Sequence, residues 1–348
     1  MPEPPPVRVR RRRISRSLVS LYRTLRSNGL SFVGFVLVVV ILVVAATVVL
    51  DPRLLVPYTA GENSGAYSVT PTLLHWLPGR AHPFGTDGGG NDIYSEVMLA
   101  LPLDVGIAVL IAGAALLAGG GLGLVAGFWD RPGTLGGWVS VVILRITDVF
   151  LAFPSMILGL AIVAALGPGV WQVIFAVLLT WWPFYVRLVR GEVLAVKHLP
   201  YVVAARAAGV SEGRILLRHV LRNVLDPLVV YFTLDIGTVL VTFSTISYVI
   251  PQGLPYPYTP EWGSMMSYYY TQGEFSQFWW TITFPALAIF VAALSFSLLG
   301  DGLRDVLDPR SRHALVDSTA STTLPPSAPE APGGPPPAPT EAAIAEGG

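Results

Sequence analysis

Residues 198–223, HLPYVVAARAAGVSEGRILLRHVLRN, form a polar, arginine-bearing segment between two strongly apolar runs. The run before it reads WQVIFAVLLTWWPFYV, and the run after it reads VLDPLVVYFTLDIGTVLVTF. Pro200 suits the first turn of a helix, the alanines that follow favour helix, and Gly209 can supply a left-handed stop. Ser211 can then cap a second helix with Glu212 in its first turn. The segment therefore predicts a compact two-helix knob, exposed between membrane spans and suited to docking into a groove on another protein.

Apolar runs of about twenty residues recur along the chain. Apolar residues make up 53% of the sequence and charged residues 13%, against an ordinary charged share of about 25%. A helix of about 20 residues is long enough to cross the hydrocarbon core of a bilayer. The pattern predicts an all-α integral membrane protein with six transmembrane helices. The predicted spans lie at about 31–50, 103–128, 139–166, 170–190, 224–249 and 278–299.

The basic residues divide unequally between the two sides of such a bundle. With six spans, 20 of the 22 fall on one side, leaving Arg53 and Arg80 opposite. Because cytoplasmic loops retain Lys and Arg, this predicts that both termini and the segment 198–223 are cytoplasmic in a cell membrane. Low apolar content also predicts a disordered Pro- and Ala-rich tail. The predicted parts are a basic cytoplasmic arm at 1–30, a six-span domain at 31–309 with an external segment at 51–102, and a cytoplasmic tail at 310–348.

Motifs of common enzyme classes are missing from the sequence. Lys197 is the one lysine and precedes His198, so the chain cannot supply a phosphate-binding Gly-Lys-Ser/Thr loop. The five histidines lack metal-site spacing, cysteine is absent, and no GxSxG elbow occurs. We therefore predict no catalytic residue, metal or cofactor in this chain. The N-terminal arginines are predicted to lie at an anionic lipid surface rather than on nucleic acid.

Two spacings inside the apolar runs predict packing contacts. Gly119, Gly123 and Gly127 recur every four residues, a pattern that favours close helix–helix packing in lipid. Arg145 and Asp148 are three residues apart, so they share a helix face and can pair.

Asp235 is the strongest polar candidate within a span. It lies about midway along the fifth run, with Thr238 and Thr242 nearby. An isolated carboxylate in lipid is costly, so it should face the bundle interior, a partner subunit or water. A place on a translocation path and a hydrogen-bonded structural role are both open.

Aromatic residues crowd the segment 248–277, which has no Lys or Arg. One interpretation is an aromatic belt at the level of the lipid headgroups. The other is an external docking surface or gate for a substrate-binding protein, formed by Tyr256, Tyr258 and Trp262. Aromatic faces suit a sugar as well as a peptide, so the segment leaves the substrate open.

Several motifs, in order along the chain, resemble the C-type permease of the dipeptide/oligopeptide ABC importer family. They are HPFGTD at 82–87, RITDVFLAFPSMILGLAIVAALGPG at 145–169, VRLVRGEVLAV at 186–196 and TPEWGSMM at 259–266. The spacing of Ala204-Ala205, Gly209 and His219-Val220-Leu221 is similar to the EAA loop of ABC-importer permeases, which carries their coupling helix. We call residues 198–223 the coupling segment.

This resemblance implies the ABC importer type I permease fold, with six transmembrane helices and a cytoplasmic coupling helix. It implies half of a translocation pathway for di- or oligopeptides, driven by ATP and Mg bound on other subunits. The implied partners are a homologous B-type permease, two ABC ATPase subunits and an extracytoplasmic substrate-binding protein. The implied ATPase-coupling residues are Tyr201, Val203, Ala204, Ala205, Ala208, Gly209 and His219.

The sequence departs from the family pattern at three positions. Val203 stands where the loop usually has Glu, Arg222 where a C-type subunit usually has Pro, and Phe243 where many relatives carry an acidic residue. Two other functions stay open: oligosaccharide import by the same machinery, and a membrane scaffold that does not transport. A membrane enzyme would need a catalytic set that the sequence does not contain.

Overall fold

Helices make up the described part of the chain. The computed structural model describes residues 29–56, 78–80, 82–88, 90–167, 169–250 and 260–307. Within these ranges there is no strand, only one isolated antiparallel bridge between Thr86 and Asp92. The helices are α1 (Gly29–Leu50), α2 (Ile93–Phe128), α3 (Leu135–Leu151), α4 (Ser155–Leu166), α5 (Val170–Val196), α6 (Pro200–Ala207), α7 (Glu212–Val249), α8 (Trp262–Thr271) and α9 (Trp280–Leu307).

Five of these helices, α1, α2, α5, α7 and α9, are long and apolar enough to cross a bilayer. A sixth span results if α3 and α4, which are bent by 86° to each other, are counted together. The span predicted at about 139–166 is therefore built from two helices with a sharp bend between them. Pro154 lies at the N-cap of α4. Because proline has no N–H to donate and restricts the residue before it, α3 ends at Leu151 and the chain turns.

The second span begins earlier than hydropathy predicted. Its apolar run starts at about 103, but α2 begins at Ile93. The Asp92 carboxylate caps this end, accepting hydrogen bonds from the Ser95 N–H at 2.9 Å and the Ser95 hydroxyl at 2.6 Å. Glu96 in the first turn is also buried. Ser95 and Glu96 are polar yet enclosed by protein, so a search for apolar runs places the start of this span too late.

The residues before α2 fold back onto the beginning of α9. His82 Nδ1 lies 2.9 Å from Asp92 Oδ1, and both side chains are buried. The Trp280 indole donates a hydrogen bond to the Thr86 carbonyl at 2.8 Å. The motif HPFGTD thus forms a turn that ties the start of α2 to α9.

Three glycines allow α2 and α5 to approach closely. A Cβ added at Gly123 would lie 2.7 Å from the Val186 carbonyl oxygen, and one at Gly127 would lie 2.8 Å from Val193 Cβ. Gly119 makes the same kind of approach one turn earlier. The predicted glycine packing is confirmed, and α2 and α5 form the most extensive helix pair of the bundle.

Two apolar cores hold the helices together. The larger one is shared by α1, α2, α4, α5, α7, α8 and α9. The smaller one, which we call the coupling core, lies beside the coupling segment and joins the end of α2 to α5, α6 and the start of α7. It consists of Phe128, Val189, Val193, Val196, Val202, Ile215, Leu216, Val220, Val224 and Leu228.

Candidate functional site

Helix α6 has a defined beginning and end within the coupling segment. It starts with Pro200 at its first position, as predicted. Gly209 follows the helix with φ of 76°, in the left-handed region. Its N–H donates to the Arg206 carbonyl at 3.0 Å, and the Val210 N–H donates to the Ala205 carbonyl at 3.2 Å. This pair of bonds is the Schellman motif, so the predicted left-handed stop is confirmed.

The second helix of the predicted knob is not a separate element. Helix α7 begins at Glu212 and continues through a π-helical turn at Leu216–Val220 to Val249. Ser211 occupies the N-cap position, but its side chain makes no capping hydrogen bond. The knob is therefore one short helix, and only four residues separate its end from the start of the span α7.

Most of the predicted coupling residues lie on the surface. Those exposed are Tyr201, Val203, Ala204, Ala208 and Gly209. The side chains of Tyr201 and Val203 are 42% and 49% exposed. His219 is half-buried in the π-helical turn, with its ring centroid 6.5 Å from that of Tyr201. Ala205 is only partly exposed because it packs against the coupling core.

Val202 anchors α6 to the bundle, a role that sequence reasoning missed. Its side chain is fully buried in the coupling core, where residues of α2, α5 and α7 meet. Of the adjacent Val202 and Val203, the first is buried in the protein and the second is exposed at the surface. A helix of eight residues has too few turns for its periodicity to distinguish the two. The exposed face of α6 thus has a rigid apolar attachment behind it.

Ion pairs connect the coupling segment to the loop between α2 and α3. Arg206 Nε lies 2.9 Å from Glu212 Oε1, and Arg206 Nη2 lies 3.2 Å from Glu212 Oε2. Arg131, in that loop, reaches the same carboxylate at 3.0 Å. All three side chains are about a third to a half exposed, so each pair contributes about 0–1 kcal/mol. From the sequence, Glu212 was predicted only to interact favourably with the helix dipole in the first turn, so these ion pairs were not predicted.

Asp235 lies inside the bundle and bonds to α5. Its Oδ2 accepts hydrogen bonds from the Trp181 indole at 2.7 Å and from the Tyr185 hydroxyl at 2.8 Å. One turn along, Thr238 is exposed, and Thr242 donates its hydroxyl proton to the Thr238 carbonyl at 2.9 Å. Trp181 and Tyr185 are four residues apart and so share one face of α5. This spacing is the sequence signal that could have indicated them as partners of Asp235. The role of these residues in a translocation path stays a prediction.

Trp262 is buried rather than displayed on the outer surface. Its indole donates to the Val97 carbonyl at 3.0 Å, and its backbone N–H donates to Asp104 Oδ2 at 3.0 Å. In this conformation it cannot contact an external protein, which corrects the docking interpretation for this residue. Its role as a gate stays a prediction. Tyr256 and Tyr258 lie outside the described residues.

Glu261 fixes the start of α8 beneath Trp262. Its two carboxylate oxygens accept hydrogen bonds from the Gly263 N–H at 2.9 Å and the Ser264 N–H at 2.7 Å. Complete burial raises the pKa of Glu261 to about 7, although these backbone donors oppose the shift. The helix is therefore held by a buried capping group, a rigid arrangement next to α2.

The predicted pairing of Arg145 with Asp148 is confirmed, at 3.9 Å. A nearer partner is Arg187 of α5, whose Nη2 lies 2.7 Å from Asp148 Oδ1. The sequence did not indicate this second contact, which ties α3 to α5. All three side chains are substantially exposed.

The long apolar helices, with the short helix α6 between two of them, define a multi-pass α-helical membrane protein. Residues 119–313 match the family described as binding-protein-dependent transport system inner membrane component. The chain belongs to this family of transport permeases.

Relatives of known name agree with this assignment. A dipeptide transport system permease protein of Alkalihalophilus pseudofirmus is 34% identical over 84% of this chain and 89% of its own length. A probable D,D-dipeptide transport system permease protein of Escherichia coli is 37% identical over 73% and 82%. A glutathione transport system permease protein of Pectobacterium atrosepticum is 37% identical over 74% and 80%. The resemblance to dipeptide/oligopeptide ABC importer permeases, and the type I permease fold with it, are confirmed.

Proposed function

We propose that this chain forms half of the translocation pathway of an ATP-driven importer for di- and oligopeptides delivered by an external binding protein. The peptide substrate is supported by the names of the relatives, which specify dipeptide, D,D-dipeptide and glutathione transport. None of these names favours an oligosaccharide. Membership of a transport family likewise does not favour a scaffold without transport.

The observation that carries the coupling role is the construction of α6. Its outer face is exposed and its inner residue Val202 is fixed in the coupling core, while α7 starts four residues after it ends. A force applied to the exposed face therefore reaches a membrane span without passing through a flexible linker. ATP-driven closure of the ATPases would shift the bundle between inward- and outward-facing states, an alternating-access cycle between two packed arrangements.

The proposed assembly contains this chain, a homologous B-type permease, two ABC ATPase subunits and an extracytoplasmic substrate-binding protein. ATP and Mg belong to the ATPase subunits, which is supported by the lack of a phosphate-binding loop in this sequence. Membrane lipid is the remaining partner, and nucleic acid is not proposed as one. Exposed Val203 replaces the usual Glu, so we expect the ATPase contact at this position to be apolar.

Orientation in the cytoplasmic membrane follows from the basic residues, with both termini and α6 on the cytoplasmic side. The chain lacks cysteine, so single cysteines report accessibility without background. Gly213 is exposed in the first turn of the span α7, and Gln272 is exposed directly after α8, in the segment that follows the other end of that span. We expect an impermeant maleimide to label Gln272→Cys in intact cells and Gly213→Cys only after permeabilisation. Labelling of Gly213→Cys in intact cells would reverse the proposed topology.

Reconstitution tests the proposed function directly. The complete transporter in proteoliposomes should accumulate a labelled dipeptide or tripeptide when ATP and the binding protein are supplied, and should not accumulate a labelled oligosaccharide. Purified alone, this chain should hydrolyse no ATP. Uptake of the oligosaccharide in place of the peptide would overturn the substrate assignment, and ATP hydrolysis by the chain alone would overturn the division of roles.

A further inference from the structure

Lys197 lies at the junction between α5 and the coupling segment and is almost fully buried. Its Nζ donates to the Gly127 carbonyl at 2.9 Å and to the Asp130 carbonyl at 3.5 Å. In a continuing helix the Gly127 carbonyl would accept from the Arg131 N–H, but that N–H donates to the Trp129 carbonyl at 2.8 Å. The ammonium thus satisfies a carbonyl that the end of α2 leaves without a helical partner.

Two ion pairs also join the loop between α2 and α3 to α5 and to the coupling segment, but their side chains are more exposed than Lys197. Arg190 of α5 reaches the Asp130 carboxylate at 2.8 Å, and Arg131 reaches Glu212 at 3.0 Å. Ion pairs open to solvent contribute little, because water screens them and long side chains lose freedom. A buried carbonyl that loses its donor keeps the whole cost of its desolvation. Among these ties, the bond from Lys197 is therefore the one whose loss matters most.

The position of Lys197 is electrostatically costly. Burial lowers the pKa of its ammonium group, Asp130 opposes that shift, and Arg190, Arg131 and Arg206 reinforce it. The carbonyl oxygens that accept hydrogen bonds from the buried ammonium group stabilise its positive charge against burial and against the three neighbouring arginines. A shorter or uncharged side chain at 197 would leave those oxygens without a donor.

We propose that Lys197 is a positioning residue that fixes the end of α2 and the adjoining α2–α3 loop, residues 129–134, to the start of the coupling segment, so that this loop and α6 move as one body. This rests on the proposed coupling role of α6. The loop joins α2 to α3, and α6 leads into α7. Displacement of α6 therefore acts on α2 and α3 at the same time as on α7, rather than on α7 alone.

The test compares Lys197→Met with Lys197→Arg in the complete reconstituted transporter. Met keeps the apolar stem and removes the donors, so we expect the ATP hydrolysed per peptide imported to rise about tenfold, from the loss of a charged hydrogen bond to a buried carbonyl. Arg keeps the charge and its donors, so the ratio should stay within about twofold of wild type. Arg304→Met, which removes an exposed basic residue of α9, serves as the matched control and should leave the ratio unchanged.

A second measurement uses the wild-type side chain at 197, so it does not depend on the folding of a variant there. Spin labels at Pro132→Cys and Ser211→Cys, both exposed positions, should show one narrow distance distribution with and without ATP. A distance that changes between the nucleotide states would contradict the one-body proposal. So would Lys197→Met if it lowered thermal stability and left the ATP-to-peptide ratio at the wild-type value. The coupling role of α6 is tested separately. It would fail if the transporter with Gly209→Val imported peptide at the wild-type rate.

Discussion

Gly209→Val is expected to abolish substrate-stimulated ATP hydrolysis and peptide import in the assembled transporter, while the chain still inserts in the membrane. Gly209 has φ of 76°, where a β-branched residue costs about 1–3 kcal/mol. Relief of that strain would break the two hydrogen bonds that end α6 and tilt its exposed face. Because about 1.4 kcal/mol corresponds to a factor of ten in affinity, docking should weaken by about five- to a hundredfold.

Gly213→Val is the matched control for this variant. A Cβ at Gly209 or at Gly213 meets no atom within 4 Å, and of the two only Gly209 has positive φ. Gly213 lies in the first helical turn of α7, where valine and glycine have similar helix propensities. Import by Gly213→Val should therefore stay near the wild-type rate. If Gly209→Val also imported at that rate, the turn after α6 would not be needed for coupling.

Gly123→Leu is expected to have the largest effect on folding. The added Cβ would lie 2.7 Å from the Val186 carbonyl oxygen and 2.9 Å from Val189 Cβ, so backbone must move rather than a side-chain tip. Overpacking of this kind costs about 3 kcal/mol and separates α2 from α5. Little intact protein should be recovered, and its thermal unfolding in detergent should begin at a lower temperature.

Gly121→Leu separates this packing effect from a general effect of leucine in the same helix. Gly121 is exposed, and a Cβ there meets no atom within 4 Å. Leucine also favours helix over glycine by about 0.8 kcal/mol. Its yield and unfolding temperature should match or exceed those of the wild type. Equal loss of protein in both variants would show that the α2–α5 approach is not the cause.

Local chemistry made the ends of α6 predictable. Pro200 and Gly209 act through their own backbone preferences, which need no partner to operate. The glycine spacing on α2 was equally informative, because small residues repeated on one face are useful only where another helix approaches. In each case the signal itself lies within a few residues of the sequence.

Interactions between distant residues could not be predicted in the same way. Trp181 and Tyr185 bond to Asp235 from 54 and 50 positions earlier, and the bond from Lys197 to Gly127 spans 70. The early start of α2 was missed because its first turns are buried in protein rather than in lipid. The break at Pro154 was hidden by apolar composition on both sides of it.

Ala205 shows how burial changes the design of an experiment. From the sequence alone, a tryptophan at this position is expected to block the docking of α6 by its bulk. Since Ala205 packs against the coupling core, Ala205→Trp would disturb α6 internally and could not report on docking alone. Ala204 is exposed on the same helix and is the better position for a probe of the surface.

Cross-linking from Ala204→Cys is the most direct test of the claim that α6 seats in an ATPase subunit. The natural chain has no cysteine, so within this chain a thiol-to-amine cross-linker of short reach attaches through its thiol-reactive end at this position alone. In the assembled transporter we predict a covalent product between this chain and an ATPase subunit, and none from Gln272→Cys at the opposite end of the bundle. A transporter that imports peptide at the wild-type rate while Ala204→Cys forms no product with either ATPase would contradict the account.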